Sequence, residues 1–229
     1  MMLKKMLITA IILTFLLMPI AFASDGNYFV TSVKMDMTVN DDGSLLIVEE
    51  YLYEIEGSIP GIQREIPLKG NQSITDVSIE TPGCYNDVLI ENSSSTKMTV
   101  WFYNDEAKTE PVENRQVQVK YTYNFNKALT VYDDCAQLDY YVWGKGWANS
   151  VDNLESNIHI KDGKDNVNYT NIPEDYIISS QWSTQDTLTT RVADIPAYTP
   201  FEQYLTIPKD YFKSTDNAQV MNMNAKEDG

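Results

Sequence analysis

The sequence predicts an all-β protein, an antiparallel β-sandwich with at most short helices, after an N-terminal signal peptide. Apolar and polar residues alternate with a period of two along most of the chain, and turn residues interrupt the alternation at short intervals. No segment carries a sustained apolar stripe of period 3.6. Five of the nine prolines follow isoleucine, and because proline cannot donate to a sheet ladder, each Ile-Pro predicts the point where a strand leaves its sheet.

The first segment predicts export. Two lysines precede the apolar run LITAIILTFLLMPIAF, and Ala21-Phe22-Ala23 is a small-x-small cleavage site. This is the layout of a secretory signal peptide over residues 1–23. An uncleaved anchor is the alternative, but the run is shorter than the roughly 20 apolar residues of a bilayer span. In both cases the rest of the chain is expected to be extracytoplasmic, either secreted or at the cell surface.

The remaining chain is expected to form one domain over residues 24–212, followed by a flexible polar tail over 213–229. The formal net charge is −16, from 17 basic and 33 acidic residues. Such an acidic chain excludes nucleic acid and anionic lipid headgroups as its main partners. No second long apolar run follows residue 24, so contact with a membrane is expected only through an uncleaved signal anchor or a partner.

The alternation predicts a series of strands. FVTSVKMDMTV (29–39) places Phe29, Val33 and Met35 on one face, NDDGS (40–44) forms a turn, and LLIVEEYLYEI (45–55) returns as the second arm of a hairpin. QVQVKYTYNF (116–125) has the clearest alternation. Further strands are predicted at 74–80, 98–103, 138–143, 154–160, 187–193 and 203–207, and a short helix near WANSVDNL (147–154).

One acidic residue is predicted to face the core. Glu49 shares its face of the second strand with apolar residues: Leu45, Ile47, Tyr51, Tyr53 and Ile55. An unpaired charge there would cost several kcal/mol. Arg64 is carried by GIQREIPL, which reads as a loop between prolines, and its planar guanidinium suits a two-bonded carboxylate contact. A structural ion pair between Glu49 and Arg64 is expected, with a substrate site as the alternative.

These residues carry a resemblance to a known family. DGSLLIVEE followed by GIQREIPL, together with QLDYYVWGKGW and YLTIPKDYF, resembles the N-terminal extracytoplasmic domain of YciQ-like predicted membrane proteins. The first block includes Asp42, Gly43, Glu49, Gly61 and Arg64. The resemblance implies a β-sandwich-like domain outside the membrane, in a family of unknown function.

No catalytic constellation is recognisable, so we expect a non-enzymatic protein without a cofactor. His159, in NIHIK, is the only histidine, and a nucleophilic triad or a zinc site would need more than this one residue and two separated cysteines. NDDG and KDGKDN offer oxygen ligands, so calcium is not excluded, although Asp-Gly is ordinary turn chemistry. An acid-dependent hydrolase also stays open, because 33 acids produce carboxylate pairs by chance.

The aromatic cluster YYVWGKGW is the best candidate for a binding surface. Tyr141, Trp143 and Trp147 are candidate contacts to a glycan or a partner, and the alternative is that Tyr141 and Trp143 fill the core. The leading hypothesis is a non-enzymatic exported β-domain of the cell surface or envelope that makes contacts with an unknown protein or envelope component. The alternative is a carbohydrate-binding domain that uses Trp143 and Trp147.

Two further features suit an exported protein. Cys84 and Cys135 are the only cysteines, and the pair permits a disulfide, with two free thiols as the alternative. Asn71, Asn92 and Asn168 begin N-x-S/T sequons and are expected in exposed loops if the host glycosylates.

Overall fold

The computed structural model describes residues 26–221. The predicted signal peptide and the last eight residues of the predicted tail lie outside the described residues. Strands dominate the described part, so the predicted all-β fold is confirmed. No helix within residues 26–221 is long and apolar enough to cross a membrane.

The elements follow one another along the chain with short connections. The strands are β1 (Asn27–Val39), β2 (Leu45–Glu56), β3 (Gly61–Pro67), β4 (Ser73–Glu80), β5 (Tyr85–Asn92), β6 (Ser95–Tyr103), β7 (Gln116–Asn126), β8 (Thr130–Val131), β9 (Cys135–Trp143), β10 (Val151–His159), β11 (Asn168–Ile172), β12 (Ile177–Trp182), β13 (Thr187–Ile195), β14 (Phe201–Pro208) and β15 (Gln219–Val220). The helical pieces are α1 (Gly163–Asn166) and a 3-10 turn (Lys209–Tyr211).

Three sheets form two layers. A seven-stranded sheet has the order β12-β13-β10-β1-β2-β7-β4, a five-stranded sheet the order β11-β14-β9-β8-β15, and a three-stranded sheet the order β3-β6-β5. Both smaller sheets pack on one face of the large sheet, since Glu49 of β2 contacts Arg64 of β3 and Tyr123 of β7 contacts Tyr140 of β9. The second layer of the sandwich is therefore divided, and one apolar core lies between the layers.

The predicted hairpin forms, but the first strand changes face near its start. Its pairing with β2 shifts register between Val30 and Ser32. As a result Val30 is buried while Phe29 is 46% exposed, against the predicted parity. Beyond this bulge Val33 and Met35 face the core as expected, because an extra residue in a strand reverses the faces on either side of it.

The segment GIQREIPL is a strand, and the predicted loop is wrong. β3 pairs antiparallel with β6 from Gly61 to Pro67. Ile62, Arg64 and Ile66 are buried, so this short run has the alternation of a half-buried strand. The two prolines that suggested a loop lie before the strand and at its last position.

Two further predictions need correction. The helix near 147–154 is wrong because β10 begins at Val151, which pairs in parallel with Val30 of β1. The short helix lies instead in KDGKDN, as α1. The predicted flexible tail packs as far as Met221: Gln219 and Val220 pair with β8, and Ala218 is buried.

The possible disulfide does not form. Cys84 and Cys135 are both free thiols. Cys84 precedes β5 at the outer edge of the three-stranded sheet, whereas Cys135 begins β9 inside the five-stranded sheet. The fold places the two thiols in different sheets, so the even cysteine count was not a sign of pairing.

Gly61 opens β3 where the backbone has no space for a side chain. A Cβ atom added there would lie 2.1 Å from the carbonyl oxygen of Val100. We expect Gly61→Ala to lower the free energy of unfolding by about 1–3 kcal/mol, because β3 must move away from β6. Gly146→Ala is the matched control: its added Cβ meets nothing within 4 Å, so we expect a change within about 0.5 kcal/mol. Urea unfolding of both variants measures the difference, and equal stability would contradict this reason for the glycine.

Candidate functional site: a groove between the two smaller sheets

A buried ion pair joins the two layers. The Nη2 atom of Arg64 donates to Oε1 of Glu49 at 2.9 Å, and Nε donates to Oε2 at 3.0 Å. The remaining nitrogen, Nη1, donates to the carbonyl of Glu65 at 3.0 Å. Glu49 is 1% exposed and Arg64 6%. The two residues named from the sequence are thus brought together with the two-bonded geometry expected of arginine and carboxylate.

Tyrosines enclose this ion pair. Tyr51 and Tyr140 each donate to a carboxylate oxygen of Glu49 at 3.4 Å, and the hydroxyls of Tyr123 and Tyr140 lie 3.2 Å apart. Burial raises the pKa of Tyr51 and Tyr123 well above the usual value, and the charge of Glu49 adds to it. Burial by itself lowers the pKa of Arg64, but the charge and hydrogen bonds of Glu49, together with the nearby tyrosines, raise this pKa well above its usual value. The guanidinium is therefore always charged and acts as a structural cation.

The predicted aromatic surface is largely internal. Trp143 is fully buried and Trp147 is 9% exposed. Their rings stack on each other with centroids 4.6 Å apart, and Tyr51 stacks on Trp147 at 5.5 Å. A sugar ring needs an open aromatic face, so the predicted Trp143/Trp147 sugar platform is wrong. Of the three predicted contact residues, Tyr141 is the exposed one, at 39%.

The alternative prediction, that Tyr141 and Trp143 both fill the core, is wrong for Tyr141. Strict alternation along β9 puts Tyr141 and Trp143 on the same face. Tyr141 pairs with Glu202 and Trp143 with Phe201 of β14, so the register of the two strands shifts by one residue between these pairs. Trp143 consequently turns into the core while Tyr141 stays outside, a change that the period-two pattern does not contain.

A groove opens where the second layer is divided. It has a volume of about 560 Å³, within the range of ligand-binding pockets. Gln63 to Pro67 of β3 form one wall, and β9 with the following loop forms the other. Its lining is mainly apolar and aromatic and includes Tyr28, Phe125, Tyr140, Tyr141 and Trp147.

Charged side chains and two glycines shape the rim of the groove. Nζ of Lys69 lies 3.9 Å from Oδ2 of Asp139, and Lys145, Glu65 and Arg64 are the other charged residues that line the groove. Gly144 and Gly146 stand on either side of Lys145, and a Cβ added at either of them meets nothing within 4 Å. The loop therefore leaves open space at the mouth of the groove.

The two acidic turns lie together at a second cavity, of about 690 Å³. Asp41 of NDDG and Asp162 of KDGKDN both line it. Asp41 pairs with Lys213, and Asp42 accepts hydrogen bonds from Ser44 and Asn217. The described residues hold no group of three or more His, Cys, Asp or Glu side chains arranged for a metal ion.

His159 lies on the outer face of the large sheet. Its Nδ1 atom is 3.2 Å from Oγ1 of Thr187 and its Nε2 atom 3.4 Å from Oδ1 of Asp36. Thr187 is its cross-strand neighbour on β13, and Asp36 lies on β1. None of the three lines either of the two cavities described above, so this set is explained by cross-strand contact on a polar surface.

The three sequon asparagines are all exposed. Asn71 lies in the turn before β4, but Asn92 ends β5 and Asn168 begins β11. The expectation of loops is therefore wrong for two of them, because the ends of edge strands are as open to solvent as loops are. Asn92 also accepts a hydrogen bond from the hydroxyl of Thr96.

The fold and the groove define an all-β, two-layer domain with an open aromatic groove beside a buried ion pair. The chain belongs to the family described as the predicted membrane protein (DUF2207) N-terminal domain, whose model matches residues 29–207. The resemblance to the N-terminal domain of a predicted membrane protein family is confirmed. The family description assigns no activity, and no curated protein matches this sequence.

Several solved structures resemble the fold. A putative protease from Parabacteroides distasonis has 9% identity and a TM-score of 0.50, over 79% of this chain and 40% of that one. An M1 zinc metallopeptidase from Deinococcus radiodurans has 8% identity and a TM-score of 0.47, over 77% and 42%. Native yeast LTA4 hydrolase has 9% identity and a TM-score of 0.46, over 79% and 29%. This chain thus spans less than half of each, and the likeness concerns the fold alone.

Proposed function

We propose that the protein is a non-enzymatic extracytoplasmic domain that binds a protein of the cell envelope in the groove. The observation that carries the proposal is an open groove of about 560 Å³ lined by aromatic residues at a division of the sandwich. Aromatic side chains supply large contact areas and are enriched at protein interfaces. The buried ion pair holds one wall of this groove, β3, against the large sheet.

The extracytoplasmic placement rests on two supports. The family is that of a predicted membrane protein N-terminal domain, and the predicted signal peptide points to export. The acidic surface suits contact with proteins more than with anionic lipid headgroups. No serine, threonine or cysteine is among the described residues that line the groove, and the only histidine lies on another face, so the groove holds no serine or cysteine nucleophile with a histidine base.

Photo-crosslinking in intact cells tests the proposal. Benzoylphenylalanine in place of Tyr141, on the groove rim, is expected to yield an adduct with an envelope protein. Gly146→Trp fills open space in the groove and is expected to abolish that adduct. The same probe in place of Ile178, which is 67% exposed on β12, is the control and should not form the adduct. An adduct at Tyr141 that survives Gly146→Trp, or no adduct at all, would refute the proposal.

A further inference from the structure

The backbone edge of β3 that faces away from β6 has no strand paired with it among residues 26–221. β3 is the last strand of its sheet and pairs with β6 alone. Leu68 N–H donates to Ser94 O, and Phe102 N–H donates to Pro60 O. In an antiparallel ladder the residues that exchange such bonds alternate, so Ile62, Arg64 and Ile66 point their backbone groups at β6. The backbone groups of the odd-numbered residues between them point away.

The edge therefore offers a short row of backbone groups. Outside the β3–β6 ladder, no backbone hydrogen bond among residues 26–221 uses the N–H or C=O of Gln63 or the N–H of Glu65. The carbonyl of Glu65 is already bonded to Arg64. Pro67 has no N–H at the next outward position, where a proline costs the ladder nothing. An unpaired edge of this kind is a template for an added strand.

The same edge forms one wall of the groove. The groove is lined by Gln63 to Pro67 on this side and by Phe125, Tyr140 and Trp147 further in. A strand added along β3 would direct alternate side chains toward these apolar rings, because successive residues of a strand point to opposite faces. The free backbone groups and the apolar lining thus fit one occupant, an extended polypeptide.

The charge of the protein limits which kind of polypeptide segment can bind along β3. The net charge of −16 repels an acidic segment and also a second copy of this chain. The groove is lined by Glu65 and Asp139 as well as by Arg64, Lys69 and Lys145. The charge of Arg64 is already paired with Glu49, so the lining adds no preference for an acidic ligand. We propose that a segment of a partner protein adds as a strand along the outer edge of β3, an inference that rests on the proposed function of the groove. The bound segment is extended, is apolar at alternate positions and carries no net negative charge.

Selection of peptides from a phage library tests this, with random segments of roughly ten residues, enough for a full strand. The selected peptides are expected to be apolar at alternate positions and neutral or basic. Gln63→Pro removes the outward N–H without removing a ladder bond and should weaken binding about three- to tenfold, the effect of one hydrogen bond. Methylation of the peptide amides that face β3 should weaken it in the same way.

Val88→Pro is the matched control. Val88 lies on β5, the other edge of the same sheet, and the alternation along β6 turns its N–H outward in the same way. Binding should survive this change, and thermal unfolding checks that both proline variants fold.

The proposal would be overturned if no peptides were selected, if the selected peptides were acidic, if Gln63→Pro bound them equally well, or if Val88→Pro lost binding. A dimer of the protein that Gln63→Pro dissociates would make a second copy the occupant and would also overturn it. If Gly146→Trp abolishes the envelope adduct while Gln63→Pro leaves peptide binding intact, the groove function stands and strand addition fails.

Discussion

Arg64→Met is expected to lower the free energy of unfolding by about 3 kcal/mol, because it leaves the carboxylate of Glu49 buried without its cation. The hydroxyls of Tyr51 and Tyr140 would remain as donors at 3.4 Å, but neutral donors do not replace a guanidinium that makes two bonds to the carboxylate. The carbonyl of Glu65 would also lose its contact with Nη1. Urea unfolding followed by tryptophan fluorescence measures the change.

Two variants separate the buried charge from other causes. Arg191→Met removes an arginine that pairs with Glu155 at 2.8 Å on the surface, and it should cost about 1 kcal/mol or less. Glu49→Leu combined with Arg64→Met removes both charges and should recover most of the lost stability, since replacing a buried pair with apolar residues is often close to neutral. Equal effects of the Arg64 and Arg191 substitutions would show that the pair contributes no more than a surface contact.

Alkaline pH is expected to unfold the protein cooperatively, starting near pH 10. The buried tyrosines are Tyr51, Tyr53, Tyr121, Tyr123 and Tyr140. Burial raises the pKa of each above the usual value of 10.0. A raised folded-state pKa contributes stability that is fully present below the unfolded-state pKa, and this stability is lost as the pH rises toward the folded-state value.

The free energy of unfolding is expected to fall steeply with rising pH because the five tyrosines contribute together. Each one that ionises only in the unfolded state lowers the free energy of unfolding by about 1.4 kcal/mol per pH unit. Five give about 7 kcal/mol per unit, enough to remove the typical stability of a domain, about 5–15 kcal/mol, within one to three pH units. Tyrosinate absorbance and circular dichroism, recorded together from pH 9 upward, measure the transition.

Two single substitutions test whether the burial of the tyrosines causes the expected pH dependence of unfolding. Tyr53→Phe should reduce the slope by about 1.4 kcal/mol per pH unit, the contribution of one tyrosine. Tyr85→Phe is the matched control, because Tyr85 is 46% exposed on β5 and should leave the slope unchanged. Tyrosinate signals that appear gradually while the circular dichroism stays native would contradict the expectation.

Periodicity predicted most of the long strands, because side chains on a strand alternate faces whatever the sheet around them. The faces of β2 and β7 are those expected, and Glu49 lies on the buried face among apolar neighbours. The choice of Arg64 as its partner followed from the cost of an unpaired buried charge. Both inferences needed only local pattern and elementary electrostatics.

Predictions that depended on register went wrong. The bulge near Val30 exposes Phe29, and the register shift beside Phe201 buries Trp143. Each is set by how two strands meet, and the sequence of one strand does not specify this. The possible disulfide between Cys84 and Cys135 was wrong for a related reason, because the distance between the two residues depends on which sheet each strand joins.

The groove as a whole could not be predicted from the sequence. Its lining comes from distant parts of the chain, from Tyr28 through Gln63 and Phe125 to Trp147. The local sign was the cluster YYVWGKGW: Tyr141 and Trp147 line the groove, and the glycines of GKG leave open space in the loop after β9.

The sequence by itself determined that this chain is all-β, which residues face inward on its regular strands, and that an inward carboxylate needs an arginine. These follow from side-chain alternation and from the cost of burying charge, which act within a few residues. Only the tertiary structure decided that the second layer is divided, that β3 keeps a free edge, and that Trp143 and Trp147 lie inside. These depend on strand order and register, which arise when segments far apart in the chain pack against one another.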